Sequence, residues 1–198
     1  MNNNKQIKKE ELKNLKIIEK NKKKNLIDYN WIIKIIAIAF IISLLMSLAS
    51  ETLLPNIPII FGIILLLFFI FLGIFFDMIG VAVTASNLSV FNSMAARKVK
   101  GSKLAVQLKK NTDKVASFLN DVIGDICGVI SGACCISIAS ALSETLNTNF
   151  LIISLLSTAI VSALTIGGKA IAKNYAINQS EIILYRFCLF LTTFYKEK

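Results

Sequence analysis

Apolar positions in this chain fall in long unbroken runs rather than in alternation with polar ones. The first run extends from Trp31 to about Ala49 and is interrupted only by Lys34; the second extends from about Ile57 to Phe76, with Pro58 near its start. A third covers about Val115 to Leu142 and a fourth about Phe150 to Ile166. About 20 apolar residues in an α-helix cross a hydrocarbon core ~30 Å thick. Runs of that length without period-two alternation do not read as half-buried strands. The pattern predicts four transmembrane helices, of which the first, 31–49, stands apart as an extra N-terminal span.

Between the second and third runs the chain turns polar but keeps helical spacing. Leu88, Phe91, Met94, Val99, Leu104 and Leu108 are interleaved with Arg and Lys, and Gly101 marks a break. Residues 84–111 therefore predict two short amphipathic juxtamembrane helices. A last segment, 181–195, carries Ile182, Ile183, Tyr185, Phe187, Phe190 and Phe194 around Arg186. It predicts an interfacial helix lying flat on the membrane surface. The expected fold class is all-α, a polytopic membrane helix bundle of about four transmembrane helices plus amphipathic juxtamembrane helices. No internal repeat is evident, and no stretch is left over for a soluble domain.

Composition agrees with this reading. Of 198 residues 55% are hydrophobic and 17% charged, against roughly 25% charged in a soluble domain. The absence of histidine removes His general bases, Ser-His triads and His metal ligands. Four cysteines (Cys127, Cys134, Cys135, Cys188) form no C-x-x-C pair, so they suggest neither a zinc site nor a dithiol redox centre. With no nucleophile–base pair and no Gly-rich phosphate loop, an enzyme is not expected, nor is an organic cofactor.

The net charge of +10 is unevenly placed. Nine lysines precede the first span, seven Lys/Arg (Arg97 to Lys114) separate the second and third, and five follow the fourth. The short segments Ser50–Asn56 and Ser143–Asn149 contain none. The positive-inside rule then puts both termini and residues 77–114 in the cytoplasm, in a multi-pass protein of the inner membrane. The basic cytoplasmic tail, 1–30, is expected to lie on an anionic inner leaflet. Nucleic acid is not an expected partner, because no aromatic-interleaved basic fold accompanies the tail. Ser47 and Ala49 also resemble a leader-peptide cleavage pattern, but the apolar run is long enough to span, and a retained anchor is expected.

The third run holds the polar residues that carry chemistry. On a helix of ~100° per residue, Ser117, Asp121, Gly124, Asp125, Gly128, Gly132 and Cys135 fall on one side, and Ile123, Ile126, Ile130 and Ala133 on the other. Gly124, Gly128 and Gly132 form a small-xxx-small track that lets a neighbouring helix approach closely. Asp121 and Asp125 are thus expected to face protein, where a charge costs at least ~2.5–3.5 kcal/mol and where two acids at i, i+4 also repel each other. The second run carries a matching stripe of Gly73, Asp77, Gly80 and Thr84, and the fourth one of Ser154, Thr158, Thr165, Gly168 and Ala172. Packed together, these faces predict a small cavity with oxygen-only ligands, the chemistry of a hard divalent cation such as Mg²⁺. In the plainer alternative, Asn120 or Asp121 caps a helix near the interface and Arg97 or Lys169 pairs with the aspartates.

Three stretches resemble the membrane domain of the CNNM/CorC (CorB) magnesium and cobalt transporter family. Gly101-Ser-Lys-Leu-Ala-Val-Gln-Leu108 is similar to that family's G-N-x-x-A-x-x-L juxtamembrane segment. Leu119-Asn-Asp-Val-Ile-Gly-Asp-Ile126 aligns on the I-G-N-N-L-V-N-I pattern of its second helix. The segment Leu164–Ala176 aligns on the G-E-I-I-P-K-T-L-A-K-x-Y-A pattern closing its third. The three occur in the family's order, and the resemblance covers about 60–195 within a domain reading of 57–195. It implies a homodimer of three-helix domains, here with glycine-rich faces as the candidate contact, that exports or exchanges Mg²⁺ as its transported ion. Asp121 and Asp125 stand where two family asparagines help bind the ion, with Asp77, Thr84 and Thr165 as candidate partners. Thr165 replaces the family's ion-binding glutamate and Gly168 its proline, so either negative charge has moved to Asp121 and Asp125 or transport is lost. The 198 residues hold no counterpart of the family's CBS pair, and nucleotide gating is not carried over. The competing expectation is a non-transporting membrane partner or regulatory subunit of another membrane protein.

Overall fold

The computed structural model describes residues 29–53 and 58–194. The basic tail up to residue 28, residues 54–57 and the end of the 181–195 segment lie outside the described residues. Every described element is helical, and no strand occurs among the described residues. Four helical segments are long and apolar enough to cross a membrane: Trp31–Leu48, Ile59–Ala85, Thr112–Leu146 and Phe150–Asn178.

The chain divides into two units, Met1–Ile38 and Ala39–Lys198, with the boundary inside helix α1 (Tyr29–Leu53). In the first unit the described residues form the opening turns of α1, where Ile33 and Ile36 are exposed. A helix apolar on every side is one whose solvent is lipid or other protein.

The second unit is built on α2 (Ile59–Ala85). Pro58 directly precedes it, where a missing N–H costs nothing, and the Pro58 carbonyl accepts from the Phe61 and Gly62 amides. The helix extends about 40 Å at 1.5 Å per residue, longer than an apolar slab requires. Its last turns therefore reach a cluster of short helices. These are α3 (Leu88–Ala96), capped by the Asn87 side chain accepting from Ser89 N–H at 3.0 Å, and α4 (Ser102–Lys110). Gly101 separates them at φ +82°, a conformation that a side chain disfavours, so the expected break falls where expected.

The third span is one continuous run with an irregularity. It comprises α5 (Thr112–Ser117), a π-helical turn (Phe118–Ile123) and α6 (Gly124–Leu146). Asn147, left-handed at φ 48°, ends α6, and the Asn149 side chain accepts from Leu151 N–H to start α7 (Phe150–Asn178). The final helix is α8 (Ser180–Phe194).

Helix α2 is the hub, packed against α6, the π-helical turn, α7 and α8. At the basic end, Ile79 and Val83 of α2 join Phe91, Ala105, Leu119, Leu184 and Cys188 in one buried cluster. In α8, Leu184 and Cys188 are fully buried against the bundle, while Ile182 and Phe190 are exposed. A second cluster of Leu66, Ile70, Ile130, Cys134 and Cys135 holds the other half of the α2–α6 contact.

Candidate functional site

The register of α2 against the third span is fixed by glycines. A Cβ on Gly62 would lie 3.3 Å from Ile138 Cγ1, and one on Gly73 would lie 3.1 Å from Cys127 Cβ. One on Gly80 would fall on the Asn120 amide. The facing positions run in opposite directions, so the helices are antiparallel and nearly in backbone contact. Asp77 sits on this same face, between Gly73 and Gly80. It therefore looks onto the stretch between Asn120 and Gly124, which is the π-helical turn.

Asp77 is 7% exposed, and its Oδ2 has no hydrogen-bond partner among the described residues. The Asn120 Oδ1 is likewise buried and unpartnered. Leaving such a group unmatched costs about 1–3 kcal/mol, and more when it is charged. Both atoms are acceptors, so neither can satisfy the other. A proton would neutralise Asp77, and a cation would satisfy an acceptor of either kind. π-Helical turns inside α-helices recur at functional sites, because they break the regular backbone ladder.

The π-helical turn also changes which side of the third span faces inward. Such a turn takes in one residue more than an α-turn, so positions before and after it no longer share one helical wheel. The buried positions of the π-helical turn and α6 are Leu119, Val122, Gly124, Cys127, Ile130, Ser131, Cys134, Cys135, Ala139 and Ser143, so Gly124 and Cys135 are inside as expected. Asp121 and Asp125 are both exposed in the single chain, against the expectation that both face protein. Ile130, expected on the lipid side, is buried. The glycine track is likewise divided. Gly124 is packed, whereas a Cβ on Gly128 or Gly132 would meet nothing within 4 Å among the described residues.

Asp125 nevertheless lines a cleft of about 470 Å³ between α2, α6 and α7, with Gly73, Gly124, Ser131, Thr165 and Lys169. A second cleft of about 300 Å³ shares Gly128, Ser131 and Thr165 and continues along Gly132, Thr158 and Ser162. Together they make a mostly apolar trough carrying the hydroxyls of Ser131, Thr158, Ser162 and Thr165 down the α6–α7 side of the bundle. The Thr165 hydroxyl donates to Val161 O at 2.8 Å, which leaves its lone pairs toward other donors or a cation. Lys169 brings a positive charge: its Nζ is 3.9 Å from where a Gly124 Cβ would be.

The structure thus gathers Asp125 and Thr165 at one cleft and buries Asp77 one turn from Gly73, a residue of that cleft's wall. Asp121 and Thr84 do not line it. Thr84 is exposed near the end of α2, its hydroxyl donating to Val81 O. Among the described residues no three acidic, Cys or His side chains converge as a metal-holding group. Asn120, which the sequence suggested only as a helix cap, emerges as a site residue. The readable signal for it was an amide directly before an acid in an apolar run.

At the basic end Lys109 Nζ donates to Val83 O and Thr84 O, each at 2.8 Å, closing two of the carbonyls that end α2. Burial holds the Lys109 ammonium below its usual range, and the Glu181 carboxylate opposes that shift. The π-helical turn is therefore faced by a helix anchored at its end.

Comparison with protein-family models, with curated proteins and with solved structures returns no match for this chain.

Proposed function

We propose that the chain is an integral membrane protein of the CorB/CorC-like type that binds and moves Mg²⁺ or a similar divalent cation. The observation that carries the reading is the buried Asp77 carboxylate on the α2 face packed against the π-helical turn, with an oxygen that has no hydrogen-bond partner among the described residues, and a likewise unpartnered Asn120 carbonyl oxygen in that turn. A hard cation prefers oxygen ligands, and Mg²⁺ retains several waters, so few protein ligands suffice. Asp77 and Asn120 form the inner pair in this proposal. Asp125 and Thr165 flank the adjoining cleft, and its width leaves room for a hydrated ion. Lys169 repels the cation there and supplies a counter-charge to Asp125 once the ion has left, which keeps binding weak enough for release. Asp121 and Thr84 act, if at all, at the mouth of the pathway.

The three motifs in family order support the same reading, as does a three-helix core with short basic helices at one end. The basic segments put that end, and both termini, on the cytoplasmic side of an inner membrane. The open Gly128–Gly132 face offers a second copy a close approach.

Mg²⁺ flux into vesicles holding the purified chain tests the proposal. Flux should fall at least tenfold in Asp77→Asn and several-fold in Asp125→Asn. Flux equal to wild type in the Asp77→Asn/Asp125→Asn double variant would remove the assignment.

A second reading, a non-transporting partner of another membrane protein, draws on the exposed Gly128 and on the convergence of fewer than three acids. Co-purification with a larger transporter and no Mg²⁺-dependent thermal shift would favour it.

A further inference from the structure

Away from the aspartates, α2, α7 and α8 enclose a cleft of about 430 Å³ with different chemistry. Its walls are aromatic and aliphatic, among them Phe75, Phe76, Ile182 and Phe187, and its polar rim is Tyr175 and Arg186. Arg186 is the sole charged residue among those lining it, and none of them is acidic. Ile182 is 50% exposed and Tyr175 57%, so the slot opens laterally rather than into the bundle. Its floor includes Ile79, part of the buried cluster at the basic end. The slot therefore lies where the apolar helices meet the cationic segments.

We propose that this slot binds one anionic phospholipid, an acyl chain lying against the aromatic wall and the phosphate on Arg186. An apolar slot alone would take any chain. The guanidinium on its rim selects an anion, and bidentate phosphate contact is what that group's geometry favours. Basic pockets between helices at the cytoplasmic face hold such headgroups. The volume is about that of one turn of α-helix, too little to seat a partner helix but sufficient for an acyl chain. The proposal uses the orientation set by the basic segments and is independent of the cation reading.

The full chain in detergent is incubated with dioleoylphosphatidylglycerol or with dioleoylphosphatidylcholine. Bound lipid is counted by native mass spectrometry, and unfolding is followed with a thiol-reactive dye, which the four buried cysteines make feasible. We expect one phosphatidylglycerol retained, with a midpoint several degrees above that with phosphatidylcholine. Arg186→Gln should abolish the difference between the lipids while leaving the lipid-free midpoint unchanged. Lys173→Gln, an exposed cation that does not line the slot, should preserve it, and Ile182→Trp should weaken retention of both lipids. Equal retention of the two lipids by wild type, or an unchanged preference in Arg186→Gln, overturns the proposal. So does a midpoint rise with glycerol 1-phosphate equal to that with phosphatidylglycerol, which assigns the site to a free phosphate. A dimer without retained lipid, lost in Ile182→Trp, assigns the slot to a second copy and overturns it too.

Discussion

The two sides of the third span meet glycine in opposite ways. Toward α2, the glycines of α2 remove side chains so that the helices approach closely: Gly73 faces Cys127, and Gly80 faces Asn120 of the π-helical turn. Toward α7, a Cβ on Gly128 or Gly132 would meet nothing within 4 Å among the described residues, and both glycines line a trough with Ser131, Thr165 and Asp125 close by. Small residues in a membrane helix thus permit either contact or space, and spacing alone does not say which. The tight side holds the buried acid, and the open side leaves a cleft whose wall includes Gly73, one turn from it.

Several substitutions break or sharpen that contrast. Gly73→Leu should be the most damaging, costing about 3 kcal/mol through overpacking against Cys127, whereas Gly128→Ala should stay within about 1 kcal/mol of wild type. Thermal unfolding in detergent compares the two directly, and equal losses would show that the two faces do not differ. Lys109→Met should come next, at about 2 kcal/mol, because two carbonyls ending α2 lose a charged donor. Gly101→Ala should cost about 1–2 kcal/mol from its left-handed backbone; retention of the wild-type midpoint would argue against the observed turn.

The smallest effect concerns pH. A lysine held below its ordinary value binds its proton more weakly folded than unfolded, so stability should rise as pH approaches the ordinary value of about 10.4 from below. That rise should vanish in Lys109→Met, and its persistence there would assign it to another group.

The four long helices were legible because apolar runs of membrane length leave few alternatives. The Gly101 break was legible because glycine tolerates the left-handed backbone found there, and the Gly73–Asp77–Gly80 part of the α2 stripe because that helix is regular throughout, though Thr84 at its end is exposed. The orientation of the third span was not. Phe118–Ile123 has an ordinary helical composition, so nothing in it announces a π-helical turn. With that turn unseen, an ideal wheel put Asp121, Asp125 and Gly128 inside together with Gly124 and Cys135; the last two are buried, the first three are exposed, and Cys127, Ile130, Ser131 and Cys134 complete the buried seam. The same offset hid Asn120, whose role depends on meeting Gly80. In α8 the amphipathic pattern was visible, but the burial of Leu184 and Cys188 depends on partners distant in sequence.

The central claim is that Asp77 is tolerated in its buried place because a divalent cation neutralises it, rather than a proton. The most direct measurement is the Mg²⁺ dependence of the unfolding midpoint at neutral pH for wild type and Asp77→Asn. The account predicts a wild-type midpoint that climbs by several degrees with millimolar Mg²⁺ and a variant that does not respond. A wild-type midpoint indifferent to Mg²⁺, with Asp77→Asn as stable or more so, would mean that the side chain is simply a protonated acid in an apolar seam.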